Sequence, residues 1–224
     1  MVGQHDQNLH LTKNSQQNHK STYEKQSALQ VSKGETGIKS GISDVLNALL
    51  PHYNYVSFEE VNAGLRLYNV SASRGEDGSR LNKLGGLLYY ALDNDGKRVS
   101  VPLRASSFEL KPTLKYLEKR YKENLAERRE IAHHIDTYVN WVMEGTRPTW
   151  KRFTEAMERE GISIVIQTDR NRGKENLFFV HHANKFIVEA ESLGSEYSLQ
   201  VLKEKCSLEE QQEQGLRHRH TLRI

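Results

Sequence analysis

Two apolar segments, ISIVIQT at residues 162–168 and NLFFVHH at residues 176–182, are separated by the polar sequence DRNRGKE. Short runs rich in β-branched and aromatic residues are typical of strands, and the short connection predicts that they pair as a hairpin. Gly161 stands directly before the first strand and ends a helical pattern that contains Phe153 and Met157. A chain that places such a hairpin after a helix cannot be all-helical, and this order favours the α+β class.

Further patterned segments on both sides of the hairpin extend this module to residues 133–206. The sequence HHIDTYVNWVMEG predicts a helix that ends at Gly145, and Thr146–Pro148 form a turn before the helix that contains Phe153. After the hairpin, KFIVEA predicts a third strand and LGSEYSLQVLKEKC predicts a closing helix. We therefore predict a helix-turn-helix followed by antiparallel strands.

A second, smaller module is predicted over residues 41–108. Ser43 precedes DVLNALL, which predicts a short helix, and Ser57 with Glu60 has the spacing of a capping box at the start of another helix. The glycine-rich sequence SASRGEDGSRLNKLGG predicts a loop. The sequence GLLYYALDNDGKRVSVPLRAS then predicts a β-hairpin whose turn ends at Gly96, a residue suited to positive φ. This module is therefore predicted to be helix plus β-hairpin.

Residues 109–132 predict a long charged helix that joins the two modules. Between Lys111 and Glu130, seven basic residues stand against four glutamates, so the helix carries an excess of positive charge. Residues 1–40 and 207–224 are polar and show no periodicity, which predicts disordered termini.

Composition favours a soluble, cytoplasmic protein. The mean hydropathy is −0.74, and no apolar run approaches the roughly 20 residues of a membrane span. The start of the chain lacks the apolar core of a signal peptide. Cys206 is the single cysteine, which excludes an internal disulfide and fits a reducing compartment. We expect no membrane partner, and the net charge of +3 makes the distribution of charge more informative than its sum.

Basic residues on the charged helix and around the second helix and hairpin of the 133–206 module predict a DNA-binding surface. The order of helix, turn, helix and hairpin is compatible with a winged-helix arrangement, and cations at a hairpin tip can contact phosphates. Interleaved acids such as Glu155 and Glu175 leave an ordinary solvated surface as the alternative. The predicted DNA-binding residues are Lys115, Lys119, Arg120, Lys122, Arg147, Lys151, Arg152, Arg170, Arg172 and Lys174.

No catalytic or metal-binding constellation is visible in the sequence. The adjacent pairs His133–His134 and His181–His182 diverge on a helix or a strand, so neither pair converges on a metal by itself. His218 and His220 could share one face of a strand but lie in the polar tail. The turn at Asp93–Gly96 lacks the closing glutamate of a calcium loop. We expect no cofactor, no metal and no catalytic residue.

The patterned segments of both modules resemble the C-terminal half of relaxases, the mobilization nucleases of conjugative and mobilizable elements. The segments that carry the resemblance are SFEEVNAGLRLYNV, GGLLYYALDNDGKRVSVPLRASSF and GISIVIQTDRNRGKENLFFVHHANKFIVEAESLGSEYSLQVL, within about residues 45–206. The resemblance implies a DNA-mobilization protein of a plasmid or transposon, which binds DNA near a transfer origin, a relaxase partner, or both.

The nuclease half of that family is not found in this sequence. The family cuts one DNA strand with an N-terminal tyrosine and holds a divalent metal with a histidine cluster. Only about 40 polar residues precede the resembling region, and Tyr23 lies among them. We therefore expect a non-catalytic protein, which could be a truncated, split or stand-alone relaxase C-terminal region.

A protein–protein interaction module with no direct DNA contact is the alternative function. Tyrosine is enriched at protein interfaces, and several tyrosines near the predicted hairpin could form a contact patch or pack a core. These residues are Tyr53, Tyr55, Tyr68, Tyr89 and Tyr90.

Overall fold

The computed structural model describes residues 37–144, 148–168 and 173–207. The expected disordered termini therefore lie almost entirely outside the described residues. Gly37 borders the first helix, and the last helix runs to Ser207.

Seven α-helices and six strands are present in the described part of the chain. The helices are α1 (Ile38–Leu49), α2 (Phe58–Arg66), α3 (Arg80–Lys83), α4 (Leu114–Asn124), α5 (Arg128–Met143), α6 (Trp150–Arg159) and α7 (Leu199–Ser207). The strands are β1 (Val70–Ser73), β2 (Leu88–Ala91), β3 (Leu103–Arg104), β4 (Ile162–Thr168), β5 (Glu175–His181) and β6 (Phe186–Glu189). The predicted α+β class is confirmed, and none of these helices is long and apolar enough to cross a membrane.

The described residues divide into two compact units. The first unit comprises residues 37–51 and 65–116, and the second comprises residues 52–64, 117–144, 148–168 and 173–207. Each unit contains its own three-stranded antiparallel sheet. The second unit is thus built from two pieces that are far apart in the sequence.

The core of the first unit lies between α1 and the sheet formed by β1, β2 and β3. Helix α1 buries one apolar face that includes Ile42 and contacts β2, where Tyr89 is fully buried. The Tyr89 hydroxyl donates a 2.7 Å hydrogen bond to the carbonyl of Pro112. The sequence predicts that this helix starts after Ser43, whereas it begins at Ile38 and contains Ser43. The apolar spacing places the helix correctly, but Ser43 does not cap it.

The first sheet has the order β1-β2-β3, and its first strand is not foreseen by the sequence pattern. The apolar spacing of SFEEVNAGLRLYNV predicts one helix from Ser57 through Val70, but Asn69 adopts a left-handed φ of 58° and separates α2 from β1. Val70 then pairs with Ala91 of β2. The turn predicted at Gly96 is confirmed, because its φ is 74° and its N–H donates to the Asp93 carbonyl at 2.9 Å.

The second sheet has the order β4-β5-β6 and confirms the three strands predicted after Gly161. Strands β4 and β5 pair along their full length, with Ile162 opposite His181. Helices α5, α6 and α7 contribute to the same core, in which Phe153 and Met157 are fully buried. Gly161 has a φ of 75°, which lets the chain turn directly from α6 into β4.

The charged helix expected over residues 109–132 is interrupted, and α5 extends beyond its expected end. A 3₁₀ turn at Leu125–Glu127 separates α4 from α5. The buried Asn124 explains the interruption, because its carbonyl accepts a hydrogen bond from Asn54 at 3.1 Å and its side chain donates to the Tyr55 carbonyl at 2.8 Å. These tertiary bonds replace the regular helical pattern at this position.

The outer edge of β6 is closed by groups from both pieces of the second unit. The backbone N–H of Asn54 donates to the Lys185 carbonyl at 2.7 Å, and Ile187 donates to the Asn54 carbonyl at 2.9 Å. The buried carboxylate of Glu60 accepts the N–H of Glu189 at 3.1 Å and the guanidinium of Arg128. This edge therefore has no open ladder of backbone groups for another strand to join.

Candidate nucleic-acid interface

The four predicted DNA-binding residues on α4 do not form one group of available cations. Lys115 and Lys122 are exposed. Lys119 lies 3.7 Å from Glu123, and Arg120 contacts the same carboxylate at 3.2 Å. Two of the four cations are thus partly neutralised by one glutamate.

Arg120 also lines an open cavity of about 610 Å³ in the second unit. The guanidinium donates to the Tyr53 carbonyl at 3.4 Å. Three glutamates line the same cavity, namely Glu123, Glu127 and Glu130. Such a carboxylate-rich surrounding opposes the approach of a phosphate.

Two further predicted residues, Lys151 on α6 and Lys174 directly before β5, also lie near carboxylates. Lys151 lies 3.9 Å from Glu155 on the exposed face of α6. Lys174 donates hydrogen bonds of 2.7 and 2.5 Å to the two carboxylate oxygens of Glu191. Arg152 is exposed on α6. The remaining three predicted residues, Arg147, Arg170 and Arg172, lie outside the described residues.

The two units carry opposite net charge over their described residues. The first unit has ten lysines and arginines against six aspartates and glutamates, whereas the second has twelve against sixteen. Of the seven predicted DNA-binding residues that the structure describes, six belong to the second unit, which is the acidic one over its described residues. A polyanion is attracted by an excess of positive charge, so the first unit is electrostatically better suited to bind one.

Three exposed cations of the first unit lie on the segment that returns from the hairpin turn. These are Lys97, Arg98 and Arg104, and none of them forms an ion pair with a described residue. The guanidinium carbon of Arg98 lies 4.0 Å from the centre of the Tyr90 ring, in a cation–π contact. We call this segment, residues 97–104, the return segment.

The turn that precedes these cations carries two carboxylates, those of Asp93 and Asp95. The Asp93 carboxylate accepts the backbone N–H groups of Asp95 at 3.1 Å and Lys97 at 2.8 Å. It is therefore engaged by the turn that it stabilises. The sequence pattern predicts this hairpin turn, but the predicted DNA-binding residues do not include the basic residues that follow it.

The return segment is an irregular sheet edge. Ser100 accepts the Ala91 N–H at 2.9 Å through its side chain, and Pro102 has no N–H of its own. Regular pairing resumes only at Leu103 and Arg104. Val101, which lies between Ser100 and Pro102, is exposed, so the edge presents both cations and an apolar side chain to solvent.

A hydrogen-bonded chain of Ser163, His182 and Tyr53 is the one arrangement that resembles catalytic geometry among the described residues. The Nε2 atom of His182 lies 2.8 Å from Ser163 Oγ, and its Nδ1 atom lies 3.1 Å from the Tyr53 hydroxyl. Burial, with Lys185 and His181 nearby, lowers the pKa of His182 to about 3. A histidine this weakly basic is a poor proton acceptor for a serine nucleophile. We therefore assign a structural role to the hydrogen bonds that join Ser163, His182 and Tyr53.

The histidine pairs do not gather metal ligands in the described part of the chain. His181 accepts the N–H of Asn184 at 3.0 Å and stacks on Phe186 with ring centres 5.0 Å apart, whereas His182 contacts Tyr53. No group of three or more histidine, cysteine, aspartate or glutamate side chains is arranged to hold a metal among the described residues. The pair at His218 and His220 lies outside them.

Comparison of the chain with protein-family models, with curated proteins and with solved structures gave no significant match in any of the three.

Proposed function

We propose that this chain is a non-catalytic DNA-mobilization protein that resembles the C-terminal half of relaxases and binds DNA, a relaxase partner, or both. The resembling segments include five of the six strands, β2 to β6, together with α2 and the first four residues of α7. The resemblance therefore follows the framework of both units rather than one isolated motif.

The observation that carries the DNA-binding part of this proposal is the positive charge of the first unit. Its excess of lysine and arginine includes the cations of the return segment, which form no ion pair with a described residue, whereas Lys119, Lys151 and Lys174 of the second unit contact glutamates. Exposed ion pairs of this kind are weak and could be exchanged for phosphate contacts. However, the cations of the return segment can bind phosphate without that exchange.

The test is fluorescence anisotropy of labelled single-stranded and double-stranded DNA against the purified chain over a salt series. Several phosphate contacts should give a log–log slope of about −0.7 per contact on single strands or about −0.9 on duplex. A steep slope on either form supports DNA binding. Absence of binding at low salt, combined with absence of relaxase binding, would refute the proposed function.

A partner-docking module without DNA contact is the second candidate, and exposed apolar side chains of the second unit favour it. Trp141 on α5 is 60% exposed and Leu125 in the preceding 3₁₀ turn is 63% exposed. Large exposed apolar residues are frequent centres of protein interfaces. The test is retention of a purified relaxase on the immobilised chain, with nuclease treatment to remove DNA. Retention that Trp141→Ala abolishes, without DNA binding, would favour this second candidate.

A further inference from the structure

We propose that the return segment and Tyr90 form a binding platform for single-stranded DNA. This inference rests on the proposed DNA-binding function and deepens it, because it names the surface and the form of DNA. The cations Lys97, Arg98 and Arg104 contact phosphates, and the stacked pair of Arg98 and Tyr90 receives a base.

The register of the first sheet places Tyr90 and Arg104 on one face. Side chains alternate between the two faces along a strand. Tyr89 and Ala91 of β2 point into the core and are buried, so Leu88 and Tyr90 point to the opposite face and are only half-buried. Arg104 pairs directly with Leu88, and its exposed side chain belongs to this same face.

Arg98 completes the platform from the other end of the return segment. Leu92 forms an isolated bridge with Arg98, which fixes the backbone of Arg98 beside the end of β2. Its guanidinium covers the Tyr90 ring at 4.0 Å, so one flat cationic group lies on one flat aromatic group. A nucleic-acid base can stack on an aromatic ring or on a guanidinium plane.

The charges of the platform match a sugar–phosphate backbone. Lys97 and Arg98 lie at the turn end of the return segment, and Arg104 lies at its other end. The only carboxylates of the turn belong to Asp93, which its own turn engages, and to the exposed Asp95. Three cations thus stand against two carboxylates of the turn, which leaves a net positive charge that attracts phosphates.

The shape of the platform favours a single strand over a duplex. A helix or a two-stranded ribbon can read a duplex through the major groove while its bases stay stacked. Here the cations lie on an irregular sheet edge and the aromatic ring lies on the sheet face beside it. A single strand can present an unstacked base to the stacked pair of Arg98 and Tyr90, whereas a duplex keeps its bases stacked on each other.

The test compares a triple charge reversal on the platform with a matched reversal elsewhere in the same unit. The platform variant is Lys97→Glu, Arg98→Glu and Arg104→Glu, and the control variant changes the exposed residues Lys39, Arg80 and Lys111 to Glu. Both variants change the net charge equally, so the difference between them reports position rather than total charge. Circular dichroism and thermal unfolding verify that both variants fold.

We expect the platform variant to lose tenfold or more of its affinity for labelled oligothymidylate at low salt. Its log–log salt slope should become shallower by about 2, because three single-strand contacts of about 0.7 each are lost. The control should lose less than about threefold, through weakened long-range attraction alone. Equal losses in the two variants, or equally tight binding of a duplex by the wild-type chain, would overturn the platform.

The stacking contact has its own test that leaves the charge unchanged. Arg98→Lys keeps the cation but removes the planar group, and Tyr90→Leu removes the ring; each should weaken oligothymidylate binding by about fivefold or more. Tyr90→Phe keeps the ring and should bind like the wild type. If both Arg98→Lys and Tyr90→Leu bind normally, stacking is refuted. If the wild-type chain binds DNA and all platform variants behave like the control, the platform alone is refuted. If the wild-type chain binds no DNA, the proposed DNA binding is refuted as well.

Discussion

His182 and Ser163 share a hydrogen bond of 2.8 Å between Nε2 and Oγ in the second sheet, where Ser163 lies on β4 and His182 directly follows β5. The other ring nitrogen of His182 lies 3.1 Å from the Tyr53 hydroxyl, so both nitrogens have partners. One nitrogen of a neutral imidazole donates and the other accepts, which fits two hydroxyl partners that can each do either. The hydrogen bonds to Ser163 and Tyr53 therefore hold a neutral His182 in place.

The neutrality of His182 predicts that the protein loses stability as the pH falls below 6.5. Its folded-state pKa is about 3, because burial and then Lys185 and His181 disfavour the charged ring. The unfolded chain binds a proton near pH 6.5 and the folded chain does not, so this contribution is complete above pH 6.5 and is lost on acidification. The free energy of unfolding, measured with urea between pH 7.5 and 4.5, should fall by up to about 1.4 kcal/mol per pH unit from this residue.

The variant His182→Gln tests this linkage, because glutamine can both donate and accept but does not titrate. The variant should be less stable than the wild type at pH 7.5 and should show a smaller loss on acidification. His133→Gln on the exposed face of α5 is the control and should keep the wild-type pH dependence. If His182→Gln keeps the full dependence, the loss of stability comes from other groups.

The buried ion pair of Glu60 and Arg128 predicts a large loss of stability when one partner is neutralised. Glu60 is 1% exposed, and its carboxylate accepts the backbone N–H of Val56 at 2.7 Å and that of Glu189 at 3.1 Å, in addition to Arg128. Removing one partner of a buried pair typically costs about 3–5 kcal/mol, because the other charge stays buried. Glu60→Gln should therefore lower the free energy of unfolding by several kcal/mol in urea denaturation.

An exposed pair provides the comparison for Glu60. Glu123 contacts Lys119 and Arg120 near the surface, and Glu123→Gln should cost less than about 1 kcal/mol. Arg128 also donates to the Ile187 carbonyl at 3.0 Å, so Arg128→Met should be destabilising as well. A double-mutant cycle between Glu60 and Arg128 that gives no coupling energy would contradict the role assigned to this pair.

The same residues show how far the sequence predicts the fold. The spacing of Ser57 and Glu60 predicts the start of α2, and the Glu60 N–H does donate to Ser57 Oγ at 3.1 Å. The spacing cannot predict that the Glu60 carboxylate reaches Arg128 and Glu189, since these contacts span 68 and 129 residues. A local cap can be predicted from residues that are close in the sequence, whereas the closure of the β6 edge depends on tertiary packing.

The side-chain contacts at the candidate sites are harder to predict from the sequence than the strands are. Ser163 meets His182 because β4 and β5 pair in one particular register, and a shift of one residue would place them on opposite faces. Lys119 and Lys151 have a glutamate four residues later, which the sequence does reveal. Lys174 and Glu191 are 17 residues apart and meet only through the fold.

Gly96 predicts a coupling between the geometry of the hairpin turn and DNA binding. Its φ of 74° is costly for residues with a Cβ, and a Cβ there would lie 3.4 Å from the Arg66 guanidinium. Gly96→Ala should lower the free energy of unfolding by about 1 kcal/mol and weaken oligothymidylate binding, because the turn orients Lys97 and Arg98. Gly96→Asn, which tolerates positive φ better, should lose less of both. Equal behaviour of the two variants would contradict the conformational explanation.

The ion pairs of the second unit predict that removing their carboxylates increases DNA affinity. Glu123→Gln, Glu155→Gln and Glu191→Gln together release Lys119, Lys151 and Lys174 from contacts of 2.5–3.9 Å. Released lysines can contact phosphates, so binding of labelled DNA at low salt should tighten by about two- to fivefold and its salt slope should steepen. The control replaces the exposed Glu118, Glu144 and Glu196 with Gln, which changes the net charge equally without breaking these pairs. A steeper slope in the first variant alone means that the carboxylates hold these lysines away from DNA, whereas identical slopes mean that the three lysines lie away from the bound DNA.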